Sequence, residues 1–195
     1  MSGSGRAARA EVERRLETAR RGAELLDRKQ QILRIAISNR KEKAEQSRLA
    51  WEQAARNAAL WLSRTLAMDG LGRVHGAVPE SYAKAGIVWG GAMGIRYPEG
   101  ASVTLPAPVP PAGSSALAFA AAAHREALAA AVIHAADARA LLLVSRELAE
   151  TRTRQRAVEN RWIPRLEAEL ERIQRSLAEQ ELEESLRLRW AAGAV

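Results

Sequence analysis

The sequence predicts a mainly α fold: a long antiparallel two-helix coiled coil built from the N- and C-terminal segments, with a small central insert containing a short β-hairpin. Three observations predict it. Apolar and small residues recur at alternating steps of four and three near both ends of the chain. Helix breakers crowd into one central stretch. The 195 residues are 47% hydrophobic but only 4% aromatic, with a single Phe and much Ala, a composition suited to helices that meet through small side chains.

The first seam runs Val12, Leu16, Ala19, Ala23, Leu26, Gln30, Leu33, Ile37, Arg40, Ala44, Ser47, Trp51, Ala54, Ala58, Trp61, Thr65 and Met68. Such a 3.5-residue repeat drifts around a 3.6-residue helix and calls for left-handed supercoiling against a partner. No Pro interrupts it and Gly22 is its only interior glycine, so one helix is expected over 10–68.

Residues 69–115 form the insert. Gly70, Gly72, Gly76, Pro79, Gly86, Gly90, Gly91, Gly94, Pro98, Gly100, Pro106, Pro108, Pro110, Pro111 and Gly113 leave no room for a long helix. Ile87-Val88-Trp89, Gly94-Ile95-Arg96-Tyr97 and Ser102-Val103-Thr104-Leu105 are β-prone runs between turns, which predicts a small hairpin that leans on the helices or on a partner.

The second helix is expected over 116–190. Its seam reads Leu128, Ala131, Ala135, Ala138, Leu142, Ser145 and Ala149, then Ile163, Leu166, Leu170, Ile173 and Leu177, with Arg152 and Arg156 where the seam passes between them. Pro164 falls inside the run and predicts a bend, because periodicity resumes at once; Ala191 to Val195 should fray. The expected coiled-coil core is Leu16, Leu26, Leu33, Ile37, Trp51, Trp61, Leu142, Ile163, Leu166, Leu170 and Ile173.

Chemistry is mostly ruled out. With no cysteine, thiolate metal sites, disulfides and cysteine nucleophiles are excluded. Gly90-Gly91-Ala92-Met93-Gly94 lacks the Gly-Lys-Ser/Thr of a phosphate loop and reads as a turn. His75, His124 and His134 make no metal set, although His134 and Asp137 are helical neighbours, and Glu179, Glu181, Glu183 and Glu184 read as a solvated face. Neither catalytic residues, cofactor nor metal is expected. No stretch reaches the ~18 apolar residues of a membrane span, and Met1 to Ala10 has no apolar run behind Arg6 and Arg9, which reads as an unexported chain.

The charge balance is basic, with 30 Lys+Arg against 23 Asp+Glu and a net charge of +7. Arg6, Arg9, Arg14, Arg15, Arg20, Arg21, Arg28 and Lys29 on the first helix, and Arg146, Arg152, Arg154, Arg156, Arg161 and Arg165 on the last, are diluted by glutamates. A mixed-charge solvated face and a protein-facing basic collar both fit this pattern. Trp51 and Trp61 occupy seam positions, so packing explains them better than base stacking with Trp162.

Three segments carry a resemblance. Ala19-Arg20-Arg21-Gly22-Ala23-Glu24-Leu25-Leu26-Asp27-Arg28-Lys29-Gln30-Gln31-Ile32-Leu33 resembles the amino-terminal signature of the D subunits of V-type and A-type rotary ATPases. Thr153-Arg154-Gln155-Arg156-Ala157-Val158-Glu159-Asn160-Arg161-Trp162-Ile163-Pro164-Arg165-Leu166-Glu167 is similar to that family's carboxy-terminal segment, and Val103-Thr104-Leu105-Pro106 to its Val-x-Leu-Pro element.

The resemblance implies a non-catalytic central rotor shaft that transmits torque between an ATP-hydrolysing or ATP-synthesising ring and a membrane ion-translocating rotor. Implied partners are the catalytic and regulatory ring subunits (A and B type), a small central-stalk subunit (F type) and a membrane-rotor socket subunit (C/d type), with no nucleotide or nucleic acid bound directly. Arg6, Arg9, Arg14, Arg161 and Arg165 are the expected ring contacts, and Trp89, Ile95 and Tyr97 the expected contacts with the small stalk component. The implied location is cytoplasmic, peripheral to the membrane. The alternatives are a basic antiparallel coiled coil that binds nucleic acid, or a scaffold.

Overall fold

The computed structural model describes residues 2–108 and 113–193; Pro110 and Pro111 of the expected insert, and Ala194 and Val195 of the expected fraying tail, lie outside them. In chain order the elements are helix α1 (Ser2–Gly76), strands β1 (Lys84–Ala92) and β2 (Ile95–Thr104), helix α2 (Ser115–Ala157), a π turn (Val158–Trp162) and helix α3 (Ile163–Gly193). The fold is mainly helical, with two long helical runs and one small antiparallel hairpin between them.

The chain divides into two compact units. The terminal unit joins residues 1–32 to 148–195, and the central unit comprises residues 33–147. In the terminal unit the helices run antiparallel, as three cross-links require: Arg6 to Glu181, Arg20 to Glu167, and the amides of Gln30 and Gln155. Its core is Val12, Leu16 and Leu166, with Ala19, Ile163, Leu170 and Ile173 packed around them. Gln30 is buried at a seam position and spends its amide on Gln155, a polar rung that penalises a slipped register.

In the central unit the same direction holds. Ser47 meets His134, Trp61 stacks on Phe119 with ring centroids 4.7 Å apart, and Asp69 binds Ser114. Here the core is largely alanine: Ala44, Ala54, Ala58, Ala116, Ala120, Ala123, Ala136 and Ala140 are buried beside Leu33, Leu117 and Val144. Small side chains let the helix backbones approach closely, at the expense of apolar area per residue.

On α1 each seam position from Val12 to Thr65 is buried or half-buried, and only Met68 turns to solvent. The helix also outruns 10–68 at both ends. The breakers after Asp69 interrupt it at a single point, where Gly70 adopts φ 76°, ψ 170°, and helix resumes to Gly76. Asp69 then caps α2: its carboxylate accepts the Ser114 hydroxyl at 2.6 Å and the Ser114 backbone N–H at 3.2 Å, placing negative charge at a helix N-terminus.

The second seam needs correction. Along α2 the buried and half-buried series is Ala116, Ala120, Ala123, Ala127, Ala130, His134, Asp137, Leu141, Val144, Leu148, Thr151, Gln155 and Val158. The expected series through Leu128 and Ala149 is one residue out of phase with it, and Leu142, expected in the core, is 56% exposed. The reason is the π turn. From Val158 the series steps by five to Ile163, then continues at Leu166, Leu170 and Ile173. A π turn absorbs one extra residue, so the phase read from the C-terminal apolar series does not carry back across it.

Pro164 explains where that turn falls. A proline ring inside an α-helix collides with the carbonyl four residues earlier. Widening the backbone so that the Ile163 N–H donates to the Val158 carbonyl relieves the collision without ending the helix.

The β-prone runs form two strands, not three. β1 and β2 pair from Lys84↔Thr104 to Ala92↔Ile95, and Met93 (φ 53°) and Gly94 (φ 83°) make the two-residue turn whose twist suits a hairpin. The register shifts between Val88↔Gly100 and Trp89↔Pro98, so Glu99 is a bulge residue beside a proline that has no N–H to give the ladder.

The expected absence of an apolar stretch of membrane-spanning length does not hold. Within Ser115–Gly193 an 18-residue window reaches a mean hydropathy of 1.7, apolar and long enough by composition to cross a membrane, although only 22% of it is buried. Its source is the alanine- and leucine-rich middle of α2, where residues 127–144 carry only Asp137 and Arg139 as charges.

Candidate partner-binding surfaces

No group of three His, Cys, Asp or Glu side chains able to hold a metal occurs among the described residues. Two of the three histidines are used structurally. His134 stacks on Trp51 at 5.5 Å with its Nδ1 3.4 Å from the Ser47 hydroxyl, and His124 Nδ1 lies 2.9 Å from the Ala120 carbonyl. Asp137 faces Lys43 at 3.0 Å and makes no pair with His134.

Part of the arginine skin is neutralised by carboxylates of the same chain. Arg9 pairs with Glu13 at 2.8 Å, Arg14 grips both carboxylate oxygens of Glu11, and Arg6 reaches Glu181 at 3.7 Å. On α1 of the central unit Arg48 lies between Glu45 and Glu52. Its hydrogen bond holds the Glu45 carboxyl below the ordinary carboxylate range, and the two carboxylates push the Arg48 guanidinium up. Arg161 and Arg165 are exposed and make no ion pair among the described residues.

Arg15 is different again. Its guanidinium carbon lies 5.9 Å from the ring centroid of Trp162, at the end of the π turn. The two residues border a groove of about 440 Å³ in the terminal unit, whose other walls are Arg14, Thr18, Ala19, Gly22, Leu26 and Val158. Both also line a smaller hollow of about 200 Å³ with Arg165, Leu166 and Glu169. Sequence reasoning placed Arg14 and Arg165 in a collar and Leu26 in the core but did not find the groove. The available signals were Gly22, alone in a long helix, and Trp162 next to Pro164.

The hairpin presents the second surface. Every residue of β1 except Gly90 is exposed, and Ile87, Val88, Trp89 and Met93 put apolar area into solvent. Trp89 has Arg96 5.9 Å from its ring, and Ile95 is half-buried at the start of β2. Tyr97, expected as a partner contact, is 6% exposed and packs within this chain, with the Arg40 guanidinium carbon 3.9 Å from its ring centroid. A cation at seam position 40 needs a partner, and Tyr97 supplies one. Lys43 completes the attachment: while paired with Asp137 it donates to the Glu99 carbonyl that the bulge frees, at 3.3 Å.

Heptad-packed helices carrying a small central hairpin, with arginine-rich and apolar surfaces left uncovered, define a coiled-coil assembly protein. No curated protein matches the chain. The model of the ATP synthase D-subunit family matches residues 8–193, and the chain belongs to that family. That span includes both signature segments and the hairpin. Membership makes the chain a component of the ATP synthase kind, a stalk protein that works in association with other subunits.

Proposed function

We propose that the chain is the central rotor shaft of a V/A-type rotary ATPase, carrying torque between the ring that hydrolyses or makes ATP and the membrane ion-translocating rotor. The observation that carries this reading is the build of the terminal unit. An apolar seam of Val12, Leu16 and Leu166 lies beneath a skin of charged side chains, several of them paired within about one turn. A shaft in a ring needs a stiff interior and a surface that does not bind permanently to any one position. Exposed ion pairs of this kind contribute little individually and exchange readily.

In this reading the chain performs no bond chemistry; it presents different faces in turn to the catalytic sites of the ring. Arg6, Arg9, Arg14, Arg161 and Arg165 meet the A- and B-type subunits, and Trp89 and Ile95 meet the small F-type stalk component. The end of the central unit around Asp69 and Ser114 is received by the C/d-type socket. The location is the cytoplasmic side of the membrane, in the soluble sector.

The test is a pull-down of the tagged chain from its native cytosol and membranes at moderate salt. Recovery of ring subunits with a small stalk component is the expected result. Recovery of nucleic acid alone would replace this reading with the basic coiled-coil alternative.

A further inference from the structure

Gly22 is not required by its own chain. It is the only glycine of α1 between Gly5 and Gly70, and a glycine inside a helix costs about 1 kcal/mol relative to alanine. A Cβ built on it would meet nothing within 4 Å. What the missing side chain leaves is the floor of the 440 Å³ groove, between Ala19 and Leu26 on one side and Val158 and Trp162 on the other.

The return side of that groove is made by the two ends of the π turn, a backbone form that often marks a functional site. Trp162 is 48% exposed, an unusual cost for the largest side chain in a helix that has a seam to enter. Charge is arranged around the apolar floor. Arg14, Arg15 and Arg165 border the groove and its neighbouring hollow, against Glu169 as the one acid lining them. Of the three cations only Arg14 has a carboxylate partner among the described residues, that of Glu11.

An apolar floor under a cationic rim is complementary to a large apolar side chain with carboxylates beside it. A phosphate backbone would use the rim and leave the floor of Ala19, Leu26 and Val158 facing water. We propose that the Gly22–Trp162 groove receives a large apolar side chain on an acid-flanked segment of the surrounding ring, and that Gly22 exists to let that side chain in. This rests on the rotor-shaft reading and deepens it: the contact is a seated knob, not a sliding ionic skin alone.

The test measures binding of the full chain to the assembled ring of A- and B-type subunits. Gly22→Leu fills the groove from within, and because leucine is the better helix former the variant should melt no lower than the natural chain. Its binding to the ring should weaken about tenfold or more. Arg15→Glu, at an exposed position, should weaken binding similarly and flatten its salt dependence.

If the natural chain binds the ring and Gly22→Leu binds equally well, the groove is overturned while the shaft reading stands. If the natural chain does not bind the ring, both are overturned together. If the two variants lose binding only to a short fluorescent single-stranded oligonucleotide, the groove is a nucleic-acid site and the proposal is overturned.

Discussion

α1 and the α2–α3 run follow different arithmetic. α1 keeps one heptad phase from Val12 to Thr65, whereas the second run keeps one phase to Val158 and resumes from Ile163 after a step of five. Both bury a continuous stripe. The difference teaches that a coiled-coil partner enforces which face is buried and leaves the residue count between buried positions free, provided the backbone can widen locally. Pro164 supplies the place where widening is cheaper than regular helix.

The largest test of that contrast adds a second extra residue. One alanine inserted after Glu159 exceeds what a single π turn absorbs and rotates α3 by about 100°. Ile163, Leu166, Leu170 and Ile173 then leave the core, and urea unfolding should show a loss of more than about 4 kcal/mol. Deleting Asn160 in a Pro164→Ala background should instead give regular helix with the seam preserved, at little loss. A deletion as damaging as the insertion would mean that the π turn does more than absorb one residue.

Next come two leucines that sequence periodicity ranks alike. Leu166→Ala should destabilise by about 2–5 kcal/mol, because the side chain is 2% exposed in the terminal core. Leu142→Ala should stay within about 0.5 kcal/mol, since its side chain already faces solvent. Equal effects from the two would restore the continuous phase and refute the step of five.

A smaller effect is expected at the hairpin's attachment. Lys43→Met removes the partner of Asp137, a largely buried carboxylate whose second oxygen has no hydrogen-bond partner, and releases the Glu99 carbonyl. A loss of about 1–2 kcal/mol is expected, reduced from that of a fully buried pair because Lys43 is half-exposed. Hydrogen exchange in β2 should accelerate. Unchanged protection there would mean that Arg40 and Tyr97 hold the hairpin alone.

The smallest effect lies on the exposed face. Arg48 holds the Glu45 carboxyl below its ordinary range, so folded Glu45 titrates lower than unfolded Glu45. That contribution to stability is present above the unfolded value and is lost as pH falls through the folded one. Arg48→Met should move the Glu45 titration up toward the ordinary range by NMR, with only a slight change in melting temperature, because solvent screens the pair. A titration that does not move would assign the shift to something other than Arg48.

Much of the fold was legible because helical periodicity is local. The seam of α1, the place of the hairpin and the paired-helix class all follow from residue spacing. The candidate sites were only half legible. Arg14, Arg165 and Trp89 were legible only as exposed residue types, and Tyr97, expected as a partner contact, packs within the chain, because apolar residues on both faces of a two-stranded sheet do not say which one rests on a helix. The telling residue was Arg40, a charge at a seam position that its own helix could not satisfy.

By itself, then, the sequence determined the helical class, the phase of α1, the breaker-rich insert and the family signatures, all of which depend on neighbours along the chain. Only tertiary structure decided the phase of α2, the buried face of the hairpin and the groove beside Gly22. Each of these depends on a second segment far away along the chain, and on a backbone adjustment whose cost is recovered only when that segment is in contact.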